Sequence, residues 1–321
     1  MKDFDRLIVR FRQFGGMRLL WQYAHMGVLW LGIKECVKCA IHGRSFKSIY
    51  PIITKKIDHC LVEKYKDIEN CVPLADKHYD SEQHKDTIWF CWLQGMNNAP
   101  QLVHACYDSL LRNLPTNKVI IITEQNYNEY ISMPDYIEQK YRKGIIPAPL
   151  FSDILRLYLL IYHGGTWIDA SVLCTSDKYW DVIQKSDLFL FRYFRNGKAE
   201  GISNWFIYSK PGNPLLQDIL RMLLAYWRDF NCTVEYYIFH LFFSVAARRH
   251  SEIMKLMPRG NSYANIRMGS YLSKNYSQDL WEKLTAEVSF HKLNYRNGER
   301  ASKHTHSFYN RIINLYSPTN G

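Results

Sequence analysis

Three charged residues lie inside one of the most apolar stretches of this 321-residue chain, between residues 152 and 175. Asp153, Arg156 and Asp169 are surrounded there by leucine, isoleucine, valine and aromatic residues. Charged side chains are rarely buried unless they are paired or bind something polar. The segment therefore predicts either a buried ion-pair network or a place where a charged ligand is held.

The first part of this segment has the pattern of a helix. Ser152 is predicted to be its N-cap, which places Asp153 in the first turn, where a negative charge suits the helix dipole. Asp153 and Arg156 are three residues apart and share a helix face. Gly164 and Gly165 are predicted to end the helix, because one of them can adopt the left-handed conformation.

The second part has the pattern of a buried strand from Trp167 onward. Because side chains alternate between the two faces of a strand, Trp167, Asp169 and Ser171 are expected on one face. Asp169 and Ser171 then form a pair of oxygen donors. Oxygen donors are the ligands that Mg²⁺ or Mn²⁺ takes, with a substrate phosphate completing the shell.

A purely structural interpretation stays open at this point. Asp153 can serve only as a dipole partner that is paired with Arg156. Asp169 can be a buried acid that backbone N–H groups satisfy. Buried ion pairs shift pKa values without having any function, so that spacing alone does not decide between the two interpretations.

The positive charge is concentrated at the N-terminus. The net charge of the chain is +11, and residues 1–56 hold 11 lysines and arginines against three acidic residues. Residues 17–33 are apolar and contain tryptophan, but Arg18, Gln22 and His25 interrupt them, and they fall short of the roughly 20 residues of a spanning helix. A basic amphipathic helix on an anionic membrane surface is the favoured interpretation; packing on the domain or in an oligomer is the other.

Composition also bears on partners and compartment. A segment that begins inside the chain and lacks a small-residue cleavage site is not expected to be a signal peptide. Eight cysteines, two of them in apolar strand-like runs, fit a reducing cytosol. The expected location is cytoplasmic, peripheral on the inner face of the plasma membrane. No motif for nucleic-acid binding accompanies the basic residues, so nucleic acid is not expected as a partner.

The remainder of the chain has an α/β pattern. We predict a basic helical segment at 1–56, a connector at 57–85 and one α/β domain at 86–321. Strands predicted at 87–93 and 118–123 alternate with helices, which indicates a largely parallel sheet. Ligands of such sheets bind beyond the carboxyl ends of strands. Residues 92–95 and 169–171 are expected at that edge.

Five segments resemble a known family. They are IWFCWLQGMNNAP, SDILRLYLLIYHGG, WIDASV, NWFIYSKPGNP and HKLNYR. They are similar to the bacterial capsular polysaccharide synthesis family, which is related to the family 32 glycosyltransferases. The resemblance covers about residues 86–296, and its most specific part is SDxxRxxxLxxxGGxWxD.

The resemblance implies a GT-A fold, a nucleotide-binding α/β sandwich with a metal at a DxD motif. It implies transfer of a sugar from a nucleotide donor, expected to be a UDP-sugar, to a saccharide or lipid-linked acceptor. Donor contacts map to the following residues: Trp92, Gln94, Asp153, Arg156, Trp167 and Asp169. Members related to this family are retaining enzymes, so retention is expected.

The second acid of the DxD motif is Ser171 in this chain. A hydroxyl is a weaker metal ligand than a carboxylate, so either Asp169 holds Mn²⁺ or Mg²⁺ with help from elsewhere, or metal dependence is weak. His291, at the position of the late motif, is the first choice as a third ligand, ahead of His304 and His306. Cationic side chains of the same late segment can share the leaving-group charge: Lys292, Arg296, Arg300 and Lys303.

The acceptor side is expected to involve Asn204 and Trp205 at a strand end, and Glu235, Tyr236 and His240 on a helix predicted at about residues 234–250. Asp169, Asn204 and Glu235 are the candidate catalytic residues. An alternative hypothesis, motivated by Ser171, is a non-catalytic relative that binds a sugar nucleotide or a membrane partner. The oligomeric state is not predicted.

Overall fold

The structure is a computed structural model that describes residues 14–43, 45, 48–68, 74, 84, 86–195, 198–296, 298, 302 and 305–316. The chain forms two compact units. The first unit combines residues 1–76, 132–154 and 215–250, and the second combines residues 77–131, 155–214 and 251–321. This division by contacts differs from the boundaries at residues 56 and 85, which stay a prediction.

The described helices and strands are numbered in chain order. The helices are α1 (Met17–His25), α2 (Val28–Ile41), α3 (Ile49–Tyr65), α4 (Gln101–Asn113), α5 (Tyr127–Tyr130), α6 (Asp135–Arg142), α7 (Ala148–His163), α8 (Trp180–Gln184), α9 (Pro214–Asp229), α10 (Ile238–Arg249), α11 (Ser251–Leu256), α12 (Ser262–Arg267), α13 (Gln278–Glu287) and α14 (Phe308–Tyr316). The strands are β1 (Thr87–Cys91), β2 (Lys118–Ile122), β3 (Gly165–Asp169), β4 (Val172–Cys174), β5 (Leu188–Arg195), β6 (Lys198–Ser209) and β7 (Phe290–Lys292).

The first unit is helical. Its helix α3 buries Ile57 and Leu61 and is tied to α9 through Asp229, whose carboxylate lies 3.0 Å from Lys64 Nζ and accepts a hydrogen bond from the Tyr65 hydroxyl at 3.0 Å. Helices α1, α2 and α3 follow one another and pack together. Helices α1 and α2 lie within the predicted basic segment, and α3 shows that the region 57–65 of the predicted connector is helical.

The second unit is built on a five-stranded sheet with the order β2-β1-β3-β6-β5. Strand β1 pairs in parallel with β2 and with β3, whereas β6 pairs antiparallel to both β3 and β5. Ile88, Phe90 and Ile168 are fully buried in the core of this sheet. The predicted α/β class with a mainly parallel central sheet is confirmed.

One strand prediction is wrong in a way that matters for the site. The run from Trp167 to Leu173 is not a single strand, because β3 ends at Asp169 and the chain turns at Ala170 and Ser171. Strand β4 then pairs antiparallel with β7 in a separate two-stranded sheet. Strand alternation therefore does not place Asp169 and Ser171 on one face.

The predicted start of helix α7 is also wrong. The helix begins at Ala148, four residues before Ser152, whose hydroxyl donates to the Pro149 carbonyl at 2.7 Å. Proline is tolerated in the first turn, where its missing N–H has no intrahelical partner. Asp153 is consequently in the body of the helix and buried, away from the first turn and its dipole.

The predicted glycine stop is confirmed. Gly164 and Gly165 both have positive φ angles, 71° and 87°, and such angles are accessible to glycine at low cost. The Gly164 N–H bonds to the Leu160 carbonyl at 3.0 Å and so closes the helix. Two left-handed residues in a row then lead directly into β3.

Among the residues that the structure describes, no helix is both long and apolar enough to cross a membrane. The seven cysteines in that part of the chain are all free thiols.

Candidate functional site

The carboxyl end of β3 lies beside the carboxyl end of β1. Asp169 is the register partner of Cys91, the last residue of β1. On the other side of β3, Ile168 pairs with Phe206 of the antiparallel strand β6, so Asn204 is at the same edge of the sheet. Trp92 and Asp169 therefore lie where the parallel strands β1 and β3 end, which is where ligands of α/β sheets bind. The antiparallel strand β6 brings Asn204 to the same end of the sheet.

Asp169 is the centre of a cluster of polar contacts at this edge. Its Oδ2 accepts a hydrogen bond from Lys292 Nζ at 2.8 Å. Its Oδ1 accepts one from the Trp167 indole N–H at 2.9 Å and lies 3.5 Å from Arg156 Nη2. The side chain of Asp169 retains 26% of its exposed area, so a ligand can reach the carboxylate.

Arg156 is a buried member of this cluster. Its side chain is 4% exposed, its Nη1 donates to the Asn204 carbonyl at 2.5 Å, and its guanidinium lies 4.9 Å from the centre of the Trp167 ring. The Trp167 ring is 1% exposed. Trp167 and Arg156 therefore hold Asp169 in place, and the predicted direct contact of Trp167 with a donor does not fit its burial.

The two cations keep Asp169 ionised. Burial raises the pKa of this carboxyl, but the charges of Lys292 and Arg156 and the hydrogen bonds from Lys292 and Trp167 outweigh burial and hold the pKa below its ordinary value. The stability that these contacts contribute is present above the ordinary carboxyl pKa and is lost as pH falls through the lower pKa of the folded state. The site is therefore charged throughout the neutral range.

Ser171 reaches the cluster through Lys292. Lys292 Nζ donates to Ser171 Oγ at 2.8 Å, so that one ammonium joins the hydroxyl to the carboxylate of Asp169. The pairing of β4 with β7 sets this geometry: Val172 is the register partner of Lys292, and the Leu293 N–H bonds to the Ser171 carbonyl at 2.8 Å. Asp169 and Ser171 are close to a common partner because of a turn, not because of strand alternation.

His291 is not part of this cluster. It precedes Lys292 on β7, so its side chain is directed to the opposite face, and its Nε2 lies 3.2 Å from Thr175 Oγ1. The imidazole is fully buried. The structure therefore does not bring together the predicted ligand set Asp169, Ser171 and His291.

The two oxygen donors that would hold a divalent cation at this site are engaged by the ammonium of Lys292. Mg²⁺ sites in enzymes use one or two carboxylates together with water and phosphate. Asp169 is the single carboxylate in the contacts described above, and its Oδ2 and Ser171 Oγ are both engaged by an ammonium. Within the described part of the chain, no group of three histidine, cysteine, aspartate or glutamate residues is placed to hold a metal ion.

A stability measurement checks the burial of His291. Burial lowers the pKa of this imidazole from 6.5 to about 3, so the unfolded chain takes up a proton that the folded chain does not. The stability that the neutral imidazole contributes is then complete above pH 6.5 and is lost as pH falls toward 3. We expect His291→Gln to remove a slope of about 1.4 kcal/mol per pH unit between these limits.

The measurement is urea unfolding at several pH values between 6 and 4. The exposed His104, changed to Gln, is the matched control. Equal slopes for wild type and His291→Gln would contradict the buried neutral imidazole.

Trp92 and Gln94 follow β1 at the same edge. The Trp92 ring meets Tyr295 edge to face at a centroid distance of 5.4 Å, and its indole N–H has no hydrogen-bond partner among the described residues. Gln94 is exposed, and its carbonyl accepts a hydrogen bond from Asn98 at 3.0 Å. An aromatic pair that is partly exposed is a suitable platform for a flat ligand ring.

The other predicted residues are placed as follows. Asp153 is buried in the first unit, ahead of the division at residue 154. Glu235 also belongs to the first unit, where its carboxylate accepts a hydrogen bond from the Tyr237 N–H at 2.7 Å. Burial, and secondarily the charge of Asp58, raises the pKa of Glu235. His306 is exposed. His304, Arg300 and Lys303 lie outside the described residues.

The role of Lys292 was only partly accessible from the sequence. It was one of four cations in the late segment, with nothing to single it out. Neighbouring residues of a strand face opposite sides, which separates Lys292 from His291, but the partner strand of this segment was unknown. Tyr295, which packs on Trp92, carried no signal in the sequence.

Comparisons with known proteins give one family and several weaker likenesses. The sequence model of the capsular polysaccharide synthesis protein family matches residues 40–312. The O-glycosyltransferase PaGT of Phomopsis amygdali is 24% identical over 158 residues, which cover 44% of this chain and 39% of that protein. The chain thus matches about two fifths of that relative.

Two solved structures have low similarity to the chain. The PaToxG glycosyltransferase is 15% identical, with 84% of this chain and 95% of that chain covered and a TM-score of 0.35. The glycosyltransferase GlyE of Streptococcus pneumoniae TIGR4 is 10% identical, with 72% and 62% covered and a TM-score of 0.36. Scores at this level carry no argument about this chain.

The family match is longer than the resemblance found in the sequence. It begins at residue 40 instead of residue 86, so it includes the predicted connector and the end of the basic segment. It also contains every residue of the cluster around Asp169. Since the match covers well over half of the sequence, the chain belongs to the capsular polysaccharide synthesis protein family.

Proposed function

We propose that this protein is a glycosyltransferase of the GT-A type that takes part in capsular or surface polysaccharide synthesis. The proposed donor is a nucleotide sugar, in the first instance a UDP-sugar, and the proposed acceptor is a saccharide or a lipid-linked saccharide. The observation that carries the proposal is the cluster of Asp169, Arg156 and Lys292 at the carboxyl edge of the sheet. This cluster lies within the segment that the family model matches.

Transfer of a sugar from a nucleotide donor requires that the leaving group be stabilised. The bond between the anomeric carbon and the diphosphate oxygen breaks, and the nucleoside diphosphate leaves with the electron pair. A bond forms between the anomeric carbon and an acceptor hydroxyl oxygen, whose proton passes to the departing phosphate in a retaining, front-face reaction. The transition state resembles an oxocarbenium ion, as in glycoside hydrolysis. Negative charge grows on phosphate oxygens, and a cation placed there lowers the barrier.

Different residues of the site can contact the phosphate, the sugar and the base of the donor. Lys292 is 26% exposed and can reach a phosphate oxygen. Asp169 is held by Trp167 and Arg156 and is proposed to lie beside the anomeric carbon of the donor. Trp92 is proposed to contact the nucleotide base, with Gln94 beside it. These assignments extend the contacts described above to a bound donor.

The acceptor side is proposed to include Asn204. It lies on β6 at the edge of the sheet, and its carbonyl is fixed by Arg156. Glu235 stays a prediction for this role. Its raised pKa is a property of candidate acid–base groups and of structural carboxylates alike.

A donor screen tests the proposal. Product nucleotide is measured after incubation of the full chain with a panel of nucleotide sugars, with and without Mn²⁺, and with saccharide acceptors. Release from one donor, increased by an acceptor, is the expected result. Failure of every donor to be bound or consumed would contradict the proposal.

The second candidate function is a non-catalytic relative that binds a sugar nucleotide. The serine at position 171 favours it, since the usual second acid is missing. Titration calorimetry separates the two candidates. Binding of a nucleotide sugar without release of product nucleotide supports the second.

We also propose that helix α2 lies against an anionic membrane surface on the cytoplasmic side. Trp30, Ile33, Val37 and Ile41 are all exposed, and their spacing of three and four residues puts them on one face of the helix. The exposed Lys34 and Lys38 flank that face. We call these four apolar residues the α2 stripe. An apolar stripe with basic neighbours suits the boundary between anionic headgroups and acyl chains.

A double variant of the α2 stripe, Trp30→Gln with Ile41→Gln, should bind vesicles containing phosphatidylglycerol at least about tenfold more weakly than wild type. The reason is the loss of two apolar side chains that water surrounds in the free protein. Co-sedimentation with these vesicles and with neutral phosphatidylcholine vesicles is the measurement. Because both side chains are exposed, the unfolding temperature should change little.

The exposed Leu256 of α11, changed to Gln, is the control outside the α2 stripe. If vesicle binding is unchanged in the double variant while its mass by light scattering falls, the α2 stripe is an oligomer contact instead.

A further inference from the structure

We propose that the ammonium of Lys292, and not a divalent cation, neutralises the diphosphate of the donor in this protein. The inference rests on the proposed function and specifies how its site works. It makes the site independent of Mn²⁺ and Mg²⁺ and assigns to Lys292 the binding of a nucleoside diphosphate.

The ammonium of Lys292 contacts both side chains of the DxD-like motif. Lys292 Nζ lies 2.8 Å from Asp169 Oδ2 and 2.8 Å from Ser171 Oγ. Asp169 and Ser171 are the two positions of the DxD-like motif from which a metal would be held. The lysine therefore bridges the same two side chains that a metal ion would bridge, and a metal could enter only by displacing it.

Two cations already act on the carboxylate of Asp169, namely Lys292 and Arg156. A divalent cation would add two positive charges beside them, within a partly buried site where like charges repel more strongly than in water. A diphosphate, in contrast, is attracted to the partly exposed ammonium of Lys292.

The ammonium of Lys292 is held in position by its two hydrogen bonds and by the pairing of its strand. Lys292 is the last residue of β7, and the pairs Val172 with Lys292 and Ser171 with Leu293 hold its backbone on both sides. An ammonium has three N–H donors. Asp169 and Ser171 take two of them, and the third is available for a phosphate oxygen because the side chain is 26% exposed.

Serine at position 171 is then explained. A hydroxyl accepts a hydrogen bond from an ammonium without adding charge. A carboxylate there would place a second negative charge against the ammonium and weaken its attraction for the diphosphate. The departure from the DxD pattern and the lysine on β7 are two parts of one arrangement.

The test measures binding of UDP and GDP to the full chain by titration calorimetry, once in EDTA and once in MnCl₂. The dissociation constant for the preferred nucleotide should differ by less than about threefold between the two conditions. In EDTA, Lys292→Met should weaken binding at least about tenfold, because a charge-assisted hydrogen bond is lost. Lys292→Arg, which keeps a cation but has a larger, planar head group, should bind the nucleotide more tightly than Lys292→Met.

Two controls accompany these variants. Lys283→Met removes an exposed lysine of α13 in the same unit and should bind the nucleotide like wild type. MnCl₂ alone is titrated into wild type and should give no saturable binding. Thermal unfolding of each variant identifies a loss of folding, and the wild-type comparison in EDTA and MnCl₂ needs no variant.

Two results would overturn the inference while the proposed function survives. One is nucleotide binding or turnover by wild type that requires Mn²⁺. The other is a folded Lys292→Met that binds the nucleotide in EDTA as tightly as wild type. If wild type binds neither nucleotide and consumes no donor, the proposed function itself fails.

Discussion

Asp169→Asn should lower kcat/KM on the best donor at least about 100-fold, since two charge-assisted hydrogen bonds at about 1.5–3 kcal/mol each are weakened or lost. The amide has nearly the shape of the carboxylate and can still accept from Trp167, so the local packing is retained. It no longer balances Lys292 and Arg156, and the ammonium is no longer held in one position. The loss should appear in product-nucleotide release at saturating and at low donor.

A surface acid of the same unit gives the control. Asp187 is exposed and lies 2.6 Å from Lys210 Nζ, so Asp187→Asn also removes a carboxylate from a lysine, but away from the site. It should keep wild-type activity. If folded Asp169→Asn retains activity within about threefold of wild type, the assignment of the site to Asp169 is wrong.

Gly165→Ala should destabilise the protein by more than about 3 kcal/mol, from left-handed strain together with a steric overlap. The φ angle of Gly165 is 87°, and an added Cβ would lie 2.6 Å from the Thr87 carbonyl oxygen and 2.8 Å from the His84 carbonyl oxygen. Backbone atoms cannot rotate away as a side chain can, so β3 would have to move relative to β1. Asp169 is at the end of the displaced strand, and activity should fall with stability.

The matched variant for this prediction is Gly95→Ala. Gly95 also has a positive φ of 78°, but an added Cβ would meet nothing within 4 Å. It should cost about 1–3 kcal/mol from backbone strain alone, because the φ of 78° and ψ of 148° at Gly95 lie in a region that other residues rarely adopt. Urea unfolding of both variants gives the comparison. Equal losses for Gly95→Ala and Gly165→Ala would show that the close approach of β3 to Thr87 and His84 does not matter.

The sequence was sufficient for the elements with long, regular patterns. The apolar runs at β1 and β2 and the glycine pair before β3 were predicted because burial on both faces and the left-handed conformation leave plain signals. The end of the sheet that collects Trp92 and Asp169 followed from the rule for carboxyl ends of strands, whereas Asn204 is brought there by the antiparallel strand β6.

The details of the site were less accessible, for identifiable reasons. Ser152 looked like an N-cap, but the preceding segment 148–151 is compatible with the first helical turn, and proline at 149 did not prevent it. Strand alternation was applied through Asp169 to Leu173, although the chain changes sheets there. A two-residue turn between two short buried strands carries no glycine or proline signal in this sequence.

The pairing of β4 with β7 could not be predicted, and the identity of the cation at Asp169 depends on it. The two strands are more than a hundred residues apart in the chain, so no local pattern connects them. His291 was preferred as a ligand because it stands at the position of the late motif of the family. The register shows that the neighbouring Lys292 faces the cluster and that His291 is buried on the other side.

The most direct test of the central claim is a crystal structure of the full chain with UDP, or with the nucleoside diphosphate that the donor screen identifies, grown in EDTA. We expect the diphosphate at the carboxyl edge of β3, with a phosphate oxygen within hydrogen-bond distance of Lys292 Nζ and the base beside Trp92. A nucleotide bound away from Asp169 and Lys292 would contradict the account.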